Sequence, residues 1–362
     1  MNRKGRVDAP DGSCCCCGVD VAVPVNDRCC PTTQDARQLR YDLKVTSGAT
    51  NIAFLRHTYD ANANITAITD YVTASANRAM TYDDLDRLKT ASGIWGSGSY
   101  TYDALGNVKT KTEGGQAMTD AYNTSVNRLT SITGANARTF SYDSFGNVTN
   151  NGIHGFTYNR AGNMVSSTVP SITYKYDGHQ RRVQKTEGGQ TGYTVYNQAG
   201  QLMHKLKGGV ATDYIYAGSM LLAEKSGSTI DYMHTDLLGS PIKGTNGTSY
   251  TEHYTPWGEK WSNPVQLADD VGYTGHQSDI STGLTYMQAR YYDPIVGRFM
   301  AVDPRHFDGH GPTTFNRYMY TRNNPFKYID PTGMVEITIG ASYEQIALLG
   351  AKGEVVTVPP PS

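Results

Sequence analysis

Three groups of residues in this chain have the types and spacing to do chemistry. The first is six cysteines, Cys14, Cys15, Cys16, Cys17, Cys29 and Cys30, all within the first thirty positions. Thiolates select soft ions such as copper(I) and zinc. No CxxC pair is present, however, and four adjacent cysteines cannot all point at one ion without strain, so no metal site is expected there. The second is His306, Asp308 and His310, which alternate and on a strand would share one face as metal ligands might. Set in a glycine-containing loop, this run reads as plain surface. The third is the tyrosines, 26 of them against 8 phenylalanines. Their rings could serve as stacking platforms for carbohydrate, or simply as packing units whose hydroxyls reach water or a backbone group. No GxSxG elbow, HExxH pair or GxxxxGKS/T phosphate loop accompanies them, and no cofactor is expected.

The elements that must position these residues are short strands joined by glycine turns. The chain has 362 residues and 38 glycines, about 10% against a usual ~7%, and lacks the Ala/Glu/Lys/Leu excess of a helical bundle. Its 32 Lys+Arg against 33 Asp+Glu give a formal net charge of -1, without the clustered basic side chains that nucleic acid or an anionic membrane requires. The basic stretch from Met1 to Arg6 is followed by no apolar segment of a signal peptide, and no apolar run approaches the ~18 residues of a membrane span. Residues 1–45 read as a cysteine-rich, disordered leader. The body after Cys30 has no cysteine, so it folds without disulfides.

A period of about twenty residues runs through the middle of the chain. Tyr59-Asp60, Tyr82-Asp83, Tyr102-Asp103, Tyr122-Asn123, Tyr142-Asp143, Tyr158-Asn159, Tyr176-Asp177 and Tyr196-Asn197 recur 16 to 23 residues apart, and Tyr216-Ala217-Gly218 closes the series. In the unit Phe140-Ser141-Tyr142-Asp143-Ser144-Phe145-Gly146-Asn147-Val148, Phe140 and Tyr142 alternate as a strand would. Asp143 can bond turn amides, Gly146 supplies a positive φ, and Val148 begins the return strand. Each repeat is therefore one hairpin. A lone hairpin is marginal in water, so the units must pair edge to edge into a long, coiling antiparallel sheet.

These units resemble the YD repeats of the Rhs family, the large secreted toxin carriers of bacteria, which are also similar to the shell of animal teneurins. The second half carries a further set in order: His234-Thr235-Asp236-Leu237-Leu238-Gly239-Ser240-Pro241, Tyr254-Thr255-Pro256-Trp257-Gly258-Glu259, Gly272-Tyr273-Thr274-Gly275-His276-Gln277, then Gly283 through Pro294. Gly297-Arg298-Phe299, Asp303-Pro304, Asn316-Arg317-Tyr318, Asn323-Asn324-Pro325 and Asp330-Pro331-Thr332-Gly333 follow. This order is similar to the Rhs-associated core domain. The resemblance covers roughly residues 55–334 and implies an all-β, coiling antiparallel sheet over 46–232 that forms part of a hollow shell, closed by a core plug over 233–334. It also implies an enclosed C-terminal toxin, contact with secretion-system proteins, and a secreted or cell-surface location reached by a specialised export route.

The resemblance further implies an aspartyl autoprotease that acts only on the chain itself, cutting between Met334 and Val335. Such chemistry needs two carboxylates that share one proton. Asp330 matches the second family aspartate. For the first, Asp303 sits in the expected frame after Gly297-Arg298-Phe299, while Asp308 satisfies the compact spacing, with eighteen residues between its tetrad and Asp330, but lacks the proline. Both stay open. Arg298 is expected to hold the loop or a carboxylate through its forked guanidinium. Beyond Met334 the sequence has 28 residues, too few to fold alone without disulfides or metals, and they read as a short stub in place of a toxin. Two other readings remain, a non-catalytic carbohydrate-binding or cell-surface adhesion module, and an orphan fragment with no activity.

Overall fold

The computed structural model describes residues 27–34, 37, 39–247, 249–262, 269–305 and 315–339. Cys14 to Cys17, and His306, Asp308 and His310, lie outside these residues. Every regular strand pairing is antiparallel and joins neighbours in sequence. One eleven-stranded sheet runs from Asp27–Gln34 to Arg138–Thr139, a two-stranded ribbon joins Ser141–Tyr142 to Val148–Asn150, and a second eleven-stranded sheet runs from Phe156–Tyr158 to Tyr250–Thr251. Among the described residues there is no α-helix, and no helix is long and apolar enough to cross a membrane.

The repeat explains itself at Tyr102-Asp103. Asp103 Oδ1 accepts the N–H groups of Leu105 (2.8 Å) and Asn107 (2.9 Å), its own N–H donates to the Asn107 carbonyl (2.9 Å), and Gly106 turns the chain at φ +74°. This one-carboxylate turn throws Tyr102 opposite Val108 with a register shift. The tyrosine hydroxyl then donates to the Leu88 carbonyl at 2.6 Å, at the start of the preceding repeat's return strand. Tyr82 reaches Ile65 (2.7 Å), Tyr122 reaches Val108 (2.8 Å) and Tyr142 reaches Leu129 (2.8 Å) in the same way. Phenylalanine could pack its ring there but could not make this bond, so the tyrosine excess follows from stitching one hairpin to the next.

Two boundaries differ from the sequence reading. The sheet begins inside the segment taken as a leader, because Arg40–Ser47 alternates and buries Leu43 and Val45. It pairs with Asp27–Gln34, the strand that carries Cys29 and Cys30. At the other end the second sheet runs past residue 232 to Thr251. The reason is local: Asp236 Oδ1 caps Leu238 and Ser240 at 2.9 Å with Gly239 at φ +86°, which is the repeat turn again.

The described residues between His253 and Ile339 pack against both large sheets. Their four-stranded sheet, Gln277–Asp279, Leu284–Met287, Arg290–Asp293 and Arg298–Phe299, has two apolar faces. Met287, Tyr292 and Phe299 join Leu55, Leu88, Trp95 and Tyr100 of the first large sheet, with fully buried Trp257 among them. Leu284, Tyr286 and Tyr291 join Phe156, Ile172 and Tyr174 of the second. The two large sheets thus lie on opposite faces of the small one, and the architecture is part of a β-shell packed over a core plug.

Candidate functional site

Asp330 follows the strand Tyr328–Ile329, and its loop returns as Ile337–Thr338. Asp330 is only 2% exposed. Its Oδ1 accepts N–H groups from Thr332 (3.3 Å), Met334 (3.0 Å) and Val335 (2.9 Å), and Gly333 turns the chain at φ +70°. As in the repeat turn, the aspartate accepts from the residues two and four on, but it also takes the Val335 amide, and its second oxygen has a different partner. In the repeat, Asn107 Nδ2 satisfies Asp103 Oδ2 at 2.8 Å; here Met334 occupies the asparagine position and offers no donor. Asp330 Oδ2 turns instead to Arg290 Nη2 at 3.3 Å.

The same guanidinium nitrogen lies 3.1 Å from Asp303 Oδ2, so the two carboxylates are drawn to within two hydrogen-bond lengths of each other. Asp303 Oδ1 is fixed by the Arg305 N–H (2.8 Å), and its own N–H donates to the Arg317 carbonyl (3.0 Å). Arg290 also donates through Nη1 to the Arg317 carbonyl (3.1 Å) and through Nε to the Gly333 carbonyl, with its guanidinium 3.5 Å over the Phe299 ring. Burial pushes the pKa values of Asp330 and Asp303 above the ordinary carboxylate range, against the pull of Arg290, and for Asp330 the charges of Glu336 and Asp303 add to the rise. Burial lowers that of Arg290 itself. The two carboxylates thus stand on one cation, with burial favouring the protonated form of each.

His276 is buried beneath the loop, and its Nε2 lies 2.9 Å from the Asp330 carbonyl. A carbonyl only accepts, so this nitrogen carries the proton. Burial lowers the His276 pKa from 6.5 to about 4, opposed by this bond. The unfolded chain therefore takes up a proton below about pH 6.5 that the folded chain refuses until about pH 4. Stability present above pH 6.5 is lost as the pH falls through that window, by about 3 kcal/mol once both limits are passed. His276→Gln keeps an N–H for the carbonyl and cannot be charged, so its urea-unfolding free energy should fall less than wild type's between pH 7 and 4. Parallel curves would reject this assignment.

Of the residues singled out in the sequence, Asp303, Asp330, Met334 and Val335 come together, while Asp308 lies outside the described residues. Arg298 is elsewhere. Its Nη1 donates to Asn107 Oδ1 (2.8 Å) and its Nη2 to Asn316 Oδ1 (3.4 Å), beneath the rings of Tyr122 and Tyr318. It ties the 316 loop to a repeat turn, and Arg290 is the residue that joins the carboxylates. The reason is pleat parity: Arg298 pairs with Asp293 and Phe299 with Tyr292, so Arg290, two residues before Tyr292, shares a face with Tyr292 and Phe299, and Arg298 faces the other way. The readable signal was a lone charge at Arg290 in the aromatic stretch Tyr286 to Tyr292. Among the described residues there is no cluster of three or more metal-ligating side chains.

The family model of the teneurin YD-shell matches residues 31–326. The chain belongs to this family. YD-shell relatives include the tRNA3(Ser)-specific nuclease WapA of Bacillus spizizenii, 31% identical over 254 residues, which are 65% of this chain and 11% of that protein. Toxin subunit YenC1 of Yersinia entomophaga is 34% identical over 31% of this chain and 12% of its own. The crystal structure of TcdB2-TccC3 superposes with a TM-score of 0.70 at 19% identity, over 84% of this chain and 18% of that one, a likeness of fold. The chain thus spans about a tenth of the length of the curated YD-shell relatives named here.

Proposed function

We propose that this YD-shell chain is the carrier part of a toxin-delivery protein of the Rhs type, whose core plug cuts its own Met334–Val335 bond and so separates the enclosed C-terminal segment from the shell. The observation that carries this reading is the position of Asp330: Oδ1 is 2.9 Å from the Val335 nitrogen, while Oδ2 shares Arg290 with Asp303. Of such a pair, one carboxylate takes a proton from a water as the water oxygen bonds to the Met334 carbonyl carbon. The other returns a proton to the Val335 nitrogen as the C–N bond breaks. The products are a carboxylate on Met334 and an amine on Val335, with no change of oxidation state.

The wider reading rests on the kinds of protein this chain resembles, among them nucleases and a toxin subunit. It assigns the protein to competition between bacteria or toxin delivery. It also gives it an enclosed C-terminal cargo and partners in a secretion system, and a secreted or surface location. Intact-mass measurement of the purified chain tests the chemistry: a species ending at Met334 and a fragment beginning at Val335 are expected. A full-length mass that persists on incubation across pH 4–8 would remove the protease assignment.

A further inference from the structure

The carbonyls of the Asp330 loop are taken one after another by donors from outside it. His276 Nε2 lies 2.9 Å from the Asp330 carbonyl, Gln288 Nε2 donates to Pro331 (3.2 Å), the Ala289 N–H donates to Thr332 (3.1 Å), and Arg290 Nε donates to Gly333. Three consecutive residues, 288 to 290, thus read three consecutive carbonyls, 331 to 333. The fit is close: a Cβ on Gly333 would stand 2.1 Å from the Met287 carbonyl oxygen.

Gln288 does something the other three do not. The same Nε2 also donates to the Gly200 carbonyl at 3.0 Å, in the repeat turn Asn197 to Gln201 of the second large sheet. Gln288 opens the two-residue turn that pairs Met287 with Arg290, and its φ of +57° is the one such a turn requires. Gly200 is shaped to it as well, since a Cβ there would come within 2.5–2.9 Å of the Gln288 amide. The glycine at the equivalent place in an earlier repeat, Gly162, has open space within 4 Å. At Gly146 and Gly106, too, the nearest side chains belong to the plug, Val302 at 2.6 Å and Met319 at 3.3 Å, so the crowding marks the turns that the plug touches.

We propose that Gln288 is a positioning residue that couples the shell to the cleavage loop: with the Gly200 turn seated, one amide group bridges shell and loop and holds Asp330 in register with the Val335 nitrogen. A shell that has not closed over the plug leaves that bridge unmade, so cutting waits on assembly. This inference rests on the self-cleavage reading above.

Gln288→Ala and Gln288→Glu are compared with wild type as full chains, by intact mass over time. A loop displaced by about 1 Å loses on the order of a hundredfold in rate, so Gln288→Ala should cut at least tenfold more slowly at every pH. Gln288→Glu has the same shape but, ionised, no donor. It should be as slow as Gln288→Ala near pH 7 and recover relative to wild type as the pH falls and its carboxyl regains an O–H. Wild-type cutting with Gln288→Glu equally fast throughout overturns the inference and leaves the protease reading standing. An uncut wild type overturns the protease reading. The positioning claim then stands or falls on hydrogen exchange in an Asp303→Asn background, where Gln288→Ala should speed exchange of the Met334 and Val335 amides at least tenfold without changing those of the repeat strands. Unchanged exchange there sinks it.

Discussion

Asp330→Asn should leave the Met334–Val335 bond uncut on the timescale of wild-type cleavage, a loss on the order of 10³-fold. The substitution isolates the chemistry because the amide oxygen can still accept from Thr332, Met334 and Val335 as Oδ1 does, so the turn survives. What is lost is the exchangeable proton. Asp303→Asn should be equally inert, since a shared-proton pair fails when either member can no longer ionise. Because burial raises both pKa values, each carboxyl keeps its proton to higher pH than an exposed one would. The cleavage window should therefore extend upward from the ordinary carboxylate range toward neutrality. Intact-mass time courses on wild type and both variants give the comparison, and a variant cut at the wild-type rate would place the chemistry elsewhere.

Arg290→Met should destabilise the folded chain by about 3–5 kcal/mol, the usual consequence of leaving buried charge without its partner. Arg290 is 4% exposed and stands between Asp303 and Asp330, while its other nitrogens hold the Gly333 and Arg317 carbonyls. Methionine fills much of the stem volume over Phe299, so most of the loss is electrostatic. Adding Asp303→Asn and Asp330→Asn to Arg290→Met should restore a substantial part of it, because the orphaned negative charge is then gone. Denaturant unfolding of the single, double and triple variants measures this coupling. A loss under 1 kcal/mol in the single variant, or no recovery in the triple, would mean that Arg290 does not bridge the two carboxylates.

How far the site could be read in advance depended on the range of each interaction. Asp330 was legible because its turn repeats a local pattern, an aspartate accepting amides two and four residues on and a glycine at the third position, as at Asp103 and Gly106. Asp303 was legible from its frame after Gly297-Arg298-Phe299. The partners of Arg290, His276 and Gln288 were not, since they lie 40, 54 and 43 residues further along the chain, and 88 back for the Gly200 end of Gln288. Arg298 was the natural candidate for a carboxylate clamp, but the face it occupies follows from the pairing of Asp293 with Arg298.

By itself the sequence determined the hairpin unit, its period and the need to tile it, because a turn is made by side chains within four residues of one another and tyrosine is the aromatic that can also bond a backbone carbonyl. The tertiary structure alone decided which charged side chain meets which. Each strand residue points to one of two faces, and a single position of register exchanges them. Asp303, Asp330 and Arg290 meet because the four-stranded sheet, packed between the two walls of the shell, turns Arg290 toward the loops and Arg298 away.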